Sequence, residues 1–308
     1  MESIKVFAPA TVANVSCGFD VLGFAVEQPG DELVLRKSNS NRIEIVEITG
    51  DNGKLPRNPT ENTATVAIQK FLEKLEISQG LEVSLYKKMP LGSGMGSSAA
   101  SAVAGVFAVN KLLGEPLSVA ELLPFAMEGE RIACGAAHAD NVAPSLYGGL
   151  VLIRSYEPLD VVRVPMPKDL FCVLMHPHIH IRTEDARAIL KRQVPMQKAI
   201  QQSGNLAGLI LGFTQSDYGL ISRSMQDVIV EPVRSILIPG FHAIKKAALE
   251  NGALGFSISG SGPSMFALCK GKEIADRVGE VMKSSLESLE IDSEIFISEV
   301  NLDGPKVI

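Results

Sequence analysis

The sequence predicts an α+β fold in two consecutive units, and three observations carry that expectation. Several short segments alternate apolar and polar residues with a period of two, the mark of half-buried strands. Longer stretches carry apolar residues at helical spacing or are crowded with small residues. The order strand, helices, strand, strand, helix, strand in the second half predicts a sandwich with helices on one face. Prolines at 158, 165 and 167 punctuate a boundary near residues 155–168, which divides an N-terminal unit over 1–160 from a C-terminal unit over 161–308.

Ser3 to Phe7 reads as a strand running into Ala8-Pro9. Glu32–Arg36 and Arg42–Val46 alternate and are expected to pair antiparallel. Thr60 or Asn62 then caps a helix whose apolar face is Val66, Ile68, Phe71, Leu72 and Leu75. Leu81–Tyr86 is a strand, and the small residues from Ser97 onward form a tightly packed helix ending near Gly114. Ser118 caps a helix that holds Glu128 and Glu130, and a third helical piece follows Ala136. Strands are expected at Leu150–Ile153, Val161–Val164 and Leu170–Met175, with a helix at Thr183–Lys191 and two or three more up to about residue 250. Leu254–Ser259 and Ser264–Leu268 are strands, Glu273–Leu289 is a helix, and Ser293–Ile297 is the closing strand.

Composition narrows the function. With 46% hydrophobic and 21% charged residues the chain is globular and long enough to bury a substantial core. The net charge is −6 and the 29 Lys and Arg are scattered, so no nucleic-acid partner is expected. No apolar run approaches about 18 residues and the N-terminus lacks a signal-peptide layout, so no membrane is expected and the cytoplasm is. Cys17, Cys134, Cys172 and Cys269 lie far apart with no C-x-x-C, which argues against a disulfide framework or a zinc site. His176, His178 and His180 alternate, but Pro177 interrupts them and no carboxylate or Cys completes a metal set, so a structural role is expected.

The 27 glycines are a modest excess, and their positions are informative. Gly92, Gly94 and Gly96 lie between a strand and a helix in Pro90-Leu91-Gly92-Ser93-Gly94-Met95-Gly96-Ser97-Ser98-Ala99-Ala100. Such a loop can aim backbone N–H groups inward, and the helix start adds positive dipole, so the pair forms an anion site. Ser97 and Ser98 add hydroxyls for phosphate or Mg²⁺. A Walker loop is excluded because neither Gly53-Lys54 nor Gly271-Lys272 completes it, and a G-x-G-x-x-G fingerprint fails at Ser97. A second cluster follows the first strand, with Pro9, Asn14 and Gly18-Phe19-Asp20. A third, Gly260-Ser261-Gly262-Pro263-Ser264, forms a hairpin between apolar strands.

In this order and spacing the three clusters resemble the signatures of the GHMP small-molecule kinases along nearly the whole chain. Met95 stands where Leu is usual, a volume-conserving exchange. The resemblance implies an N-terminal domain like the second domain of ribosomal protein S5, a ferredoxin-like C-terminal domain, and ATP at their interface. Residues 90–100 would surround its phosphates, and Asn62 and Lys87 with the strand around Tyr86 would lie near adenine. The segment from Gly129 to Pro144, with His138-Ala139-Asp140-Asn141, resembles the branch of the family that phosphorylates L-homoserine, as do Thr183–Arg187 and Glu231–Arg234. That implies ATP-dependent transfer to a primary hydroxyl in threonine biosynthesis. Arg187 and Arg234 would clamp the substrate carboxylate, with Thr183 alongside, and Asp20 would receive its ammonium. Asn14 and His138 would orient the rest, and Glu130 and Ser98 would hold Mg²⁺. Asn141 stands where related kinases carry a catalytic Asp, so no dedicated base is expected; Asp140 is the competing candidate. A homodimer is expected. The alternatives are another family member of the mevalonate type, or a non-catalytic regulator on the same fold.

Overall fold

The computed structural model describes residues 2–135 and 138–308. Its first sheet contains β1 (Ser3–Ala13), β2 (Leu22–Ser38), β3 (Ile43–Thr49), β4 (Gly80–Tyr86), β5 (Leu150–Tyr156) and β6 (Leu159–Val164). The 17-residue β2 is its axis: it pairs along β1 on one side, and on the other side with β5 near its start and β4 near its end. β1 runs past Phe7 because a register shift between Pro9 and Thr11 accommodates the proline, which cannot donate to the ladder.

The strand at 43–49 corrects the expected pairing. β3 lies parallel to β4, and β2 pairs antiparallel with β4 rather than with β3. The reason is α1 (Thr63–Lys74), which joins β3 to β4 as a crossover helix and so returns the chain in the same direction. Three more helices cover this sheet: α2 (Ser97–Leu112), α3 (Val119–Cys134) and α4 (Ala139–Tyr147). α2 is buried almost all round, which its Ala, Ser, Gly and Val content allows between the sheet and its neighbours. Ser118 and Glu121 form a capping box on α3. The helix expected after Ala136 starts at Ala139; Ala136 itself lies outside the described residues.

The second sheet is antiparallel, with β7 (Leu170–Pro177), β8 (Gly255–Ile258), β9 (Met265–Lys270) and β10 (Ser293–Glu299) in the order β10-β7-β9-β8. With α10 (Lys272–Glu287) and the helices between β7 and β8, this is the ferredoxin-like β-α-β-β-α-β arrangement. The helix expected over 183–191 is the shorter α5 (Thr183–Ala188). Between it and β8 lie four helices rather than two or three: α6 (Met196–Gln215), α7 (Tyr218–Ser224), α8 (Glu231–Arg234) and α9 (Phe241–Glu250). α7 and α8 are too short to show a period, and aspartates start them: Asp217 caps α7, while Asp227 accepts the N–H groups of Val230 and Glu231.

β6 pairs with β5, so the passage between sheets falls after Val164, not at 160. The tail then returns to the first sheet, where β11 (Lys306–Val307) pairs with β1. Two residues carry no periodic signal, so this strand was illegible in the chain. The two sheets share one core: Phe24 of β2 meets Phe266 of β9 edge-on at 5.9 Å, and Val26 bridges to Val300. Cys17, Cys172 and Cys269 are free and buried. His176 is buried with Nδ1 3.2 Å from the Ser264 hydroxyl, a structural contact behind the third glycine cluster.

Candidate active site

The three glycine clusters meet. Thr11 N–H donates to Met95 O (3.0 Å), Gly260 N–H to Ala13 O (3.1 Å), and Ser264 N–H to Ser93 O (3.1 Å). Ser259 Oγ donates to Gly94 O at 2.7 Å. Two glycines are dictated by this contact. A Cβ on Gly94 (φ +81°) would meet Ser259 O at 2.5 Å, and one on Gly96 (φ +72°) would meet Thr11 Oγ1 at 2.1 Å. Beside the junction opens a cleft of about 510 Å³ between the two units.

One end of the cleft is the N-terminus of α2. Gly96 caps it with no side-chain hydrogen bond, and Gly96, Ser97 and Ser98 line the cleft, so the helix start suits an anion. The two serines there differ. Ser97 Oγ donates to Asp31 Oδ2 at 2.7 Å, whereas Ser98, half-buried, lines the cleft. Asp31 is fully buried and also accepts Lys88 N–H (2.8 Å) and Met89 N–H (3.1 Å) and pairs with Lys87. Lys87 also lines the cleft. Its ammonium has three protons, and they serve Asp31, Ser97 O (2.9 Å) and Ser101 Oγ (2.6 Å), so it ties the glycine loop to β2 while lining the cleft. Asn62 is likewise engaged: Oδ1 caps α1 at Ala64 N–H (3.1 Å) and Nδ2 donates to Pro56 O (3.1 Å). Tyr86 points away to Glu47, and Leu55, Pro56 and Thr63 line the cleft beside Asn62 and Lys87.

The other end is charged. Arg187 and Asp20 form a two-pronged pair, Nη2 to Oδ1 at 2.9 Å and Nη1 to Oδ2 at 3.2 Å. Arg234 is buried and lines the cleft, donating Nε–H to Ala186 O (2.9 Å) and Nη1–H to Gly260 O (3.2 Å). Phe19 packs under both guanidinium groups, 4.9 Å from that of Arg234 and 5.7 Å from that of Arg187. Burial, then the charge of Arg187, draws the Arg234 guanidinium down to about 10. Asp140 is buried in the first turn of α4; burial, then the charge of Asp20, pushes its carboxyl up to about 7 against the pull of Arg187. Burial and Arg187 lower His138. Asn14 is a scaffold here: Oδ1 accepts Asp20 N–H and Nδ2 donates to Gly260 O, both at 2.8 Å. Thr183 Oγ1 lies 3.1 Å from Ser261 Oγ.

Of the residues singled out in the sequence, Glu130, Ser98, Asn141, His138, Thr183, Arg187, Arg234, Asn14, Asn62, Lys87 and most of the glycine loop line this one cleft. Met95, Ala99 and Ala100 are core residues behind the loop, Pro90 and Asp20 are outside the lining, and Asp20 pairs with Arg187, which lines the cleft. Asp31, Thr11 and Tyr156 were missed. Tyr156 accepts Ala139 N–H at 3.2 Å and lies 3.4 Å from Asp20 O. Hydrogen bonds that span 17 to 136 residues leave no local pattern.

The family model for the GHMP kinases N terminal domain matches residues 62–149, and that for GHMP kinases C terminal matches 197–288. The chain belongs to the GHMP kinase family. Within that family it is 51% identical, over the full length of both chains, to a homoserine kinase of Chlorobium phaeobacteroides strain BS1. The crystal structure of a homoserine kinase from Cytophaga hutchinsonii superposes with a TM-score of 0.98 at 59% identity, covering 100% of this chain and 98% of that one. The Methanococcus jannaschii mevalonate kinase, at 16% identity and TM-score 0.70 over 97% and 98% of the two chains, shares the fold.

Proposed function

We propose that this chain phosphorylates L-homoserine with ATP, giving O-phospho-L-homoserine and ADP. The observation that carries this reading is the charge pattern at the inner end of the cleft. Arg187, Arg234, Asp20 and Asp140 offer two cations and two carboxyl groups, the complement of an α-amino acid zwitterion. In the free protein Asp20 and Arg187 satisfy each other. A bound amino acid would insert its carboxylate at the guanidinium groups and its ammonium at the carboxylates. Its hydroxyl would then face the phosphate loop past Asn141.

The phosphates rest on the α2 N-terminus and the glycine loop. The donor set also fits a magnesium ion held chiefly through phosphate: the Ser98 hydroxyl and the buried Glu130 carboxylate line the cleft, and both offer hard oxygens. Among the described residues no group of three His, Cys, Asp or Glu could hold a metal by itself. Magnesium there would neutralise charge on the β- and γ-phosphates. The substrate oxygen attacks the γ-phosphorus, the bond to the β-phosphate oxygen breaks, and the hydroxyl proton passes to a phosphoryl oxygen. Asn141 has no basic group, and a loose transition state makes positioning and charge stabilisation sufficient.

An assay of the purified chain with Mg-ATP and a panel of homoserine, mevalonate, galactose and threonine tests the reading. Turnover of homoserine above the others is expected; activity on mevalonate with none on homoserine overturns it. A homodimer is part of the proposal, supported by exposed Met196, Ile200 and Leu211 on α6, a helix whose one charged residue is Lys198. Sedimentation velocity reads the stoichiometry. Cytoplasmic residence is proposed on the free cysteines Cys17, Cys172 and Cys269.

A further inference from the structure

Thr11 is fully buried, under the phosphate loop and against Asn141. Its Oγ1 donates to Asn141 Oδ1 at 2.8 Å, while its backbone N–H is held by Met95 O of the loop at 3.0 Å. The space above Gly96 is filled from both sides: a Cβ there would lie 2.1 Å from Thr11 Oγ1 and 2.9 Å from Asn141 Oδ1. The hydroxyl is therefore wedged between the loop and the amide. An amide has one acceptor end and one donor end; with the hydroxyl donating to Oδ1, the donor end is the one left over. Asn141 Nδ2 makes no hydrogen bond to any described residue, and Asn141 lines the cleft.

We propose that Thr11 is a positioning residue for phosphoryl transfer: its hydroxyl holds the Asn141 amide so that the Nδ2 donor, not the Oδ1 acceptor, faces the reacting oxygens. A fixed donor aimed where charge redistributes lowers the barrier without reorganising at the moment of reaction. Released from Thr11, the amide turns between two orientations, one of which presents an oxygen to oxygens. Because Thr11 is also bonded to the loop, the donor keeps a set distance from the phosphates. This inference rests on the kinase reading, though not on the identity of the alcohol, so it is measured with whichever alcohol the parent chain phosphorylates.

The experiment compares Thr11→Val, which keeps the shape and loses the hydroxyl, with Thr11→Ser, which keeps the hydroxyl. Thermal unfolding accompanies each, and both are also made in an Asn141→Ala background. The expected result is a kcat ten- to a hundredfold lower for Thr11→Val, with KM for ATP and for the alcohol within about threefold of the parent. Thr11→Ser should recover most of kcat, and Thr11→Val should cost nothing further once Asn141 is Ala. Should Thr11→Val fail to fold, Thr11→Ala carries the same expectations. Unchanged kcat in a folded Thr11→Val, an equal loss in Thr11→Ser, or full additivity with Asn141→Ala each overturns the proposal. A parent chain that phosphorylates no alcohol overturns the kinase reading instead.

Discussion

At the phosphate end of the cleft the polar side chains are bonded mainly to the protein itself, whereas at the amino-acid end charged side chains meet across space that a ligand can enter. Asp31, Lys87, Ser97, Asn62 and Thr11 each have partners within the fold. Asp20, Arg187, Arg234 and Asp140 instead hold opposite charges ready for exchange with a zwitterion. A phosphate chain has no handedness to read and is well served by a rigid row of donors. An amino acid differs from other alcohols by its two charges, and only side chains can supply their complement.

Four substitutions would break or sharpen this contrast. Asp31→Leu leaves the buried Lys87 ammonium and three other donors without their acceptor, and should cost about 3–5 kcal/mol of stability in denaturant unfolding. Lys87→Met should also act on stability; if instead it raised KM for ATP in an equally stable protein, the self-contained phosphate end would be disproved. Gly96→Ala forces a side chain into left-handed backbone against Thr11 Oγ1, and kcat/KM should fall on the order of a hundredfold because the loop must shift. Arg187→Leu removes one prong at the charged end. KM for homoserine should rise roughly ten- to a hundredfold and KM for ATP stay within about twofold, as loss of a charge-assisted hydrogen bond implies.

The smallest effect is a pH dependence. With its carboxyl raised from 3.8 to about 7, Asp140 keeps its proton in the folded state where the unfolded chain has lost it. Its contribution to stability is therefore fully present below 3.8 and is lost as pH rises through about 7. Substrate binding runs the other way, since the ionised carboxyl attracts an ammonium. KM for homoserine should fall severalfold as pH rises through 7, and Asp140→Asn should flatten both profiles. A KM profile unchanged in Asp140→Asn would remove this residue from the ammonium site.

Where sequence and structure diverge, the cause is range. Strands such as β4 and helices such as α1 were legible because a period of 2 or 3.6 is written in neighbouring residues. The parallel pairing of β3 with β4 was not, because alternation says that a segment is a strand and nothing about its partner. The glycine loop was recognisable by its spacing. That Lys87, close to it and positively charged, pairs with Asp31, 56 residues earlier in the chain, was not legible.

Composition, periodicity and the three glycine clusters come from the chain alone, and with them the α+β class, the phosphate loop and a set of residues that converge on one cleft. Each depends on local geometry, such as a left-handed backbone at Gly96 or a helix beginning at Ser97. Which polar groups remain free to meet a ligand was decided only by folding. A side chain's hydrogen-bonding capacity is finite, and distant partners such as Asp31 for Lys87 and Thr11 for Asn141 claim it first.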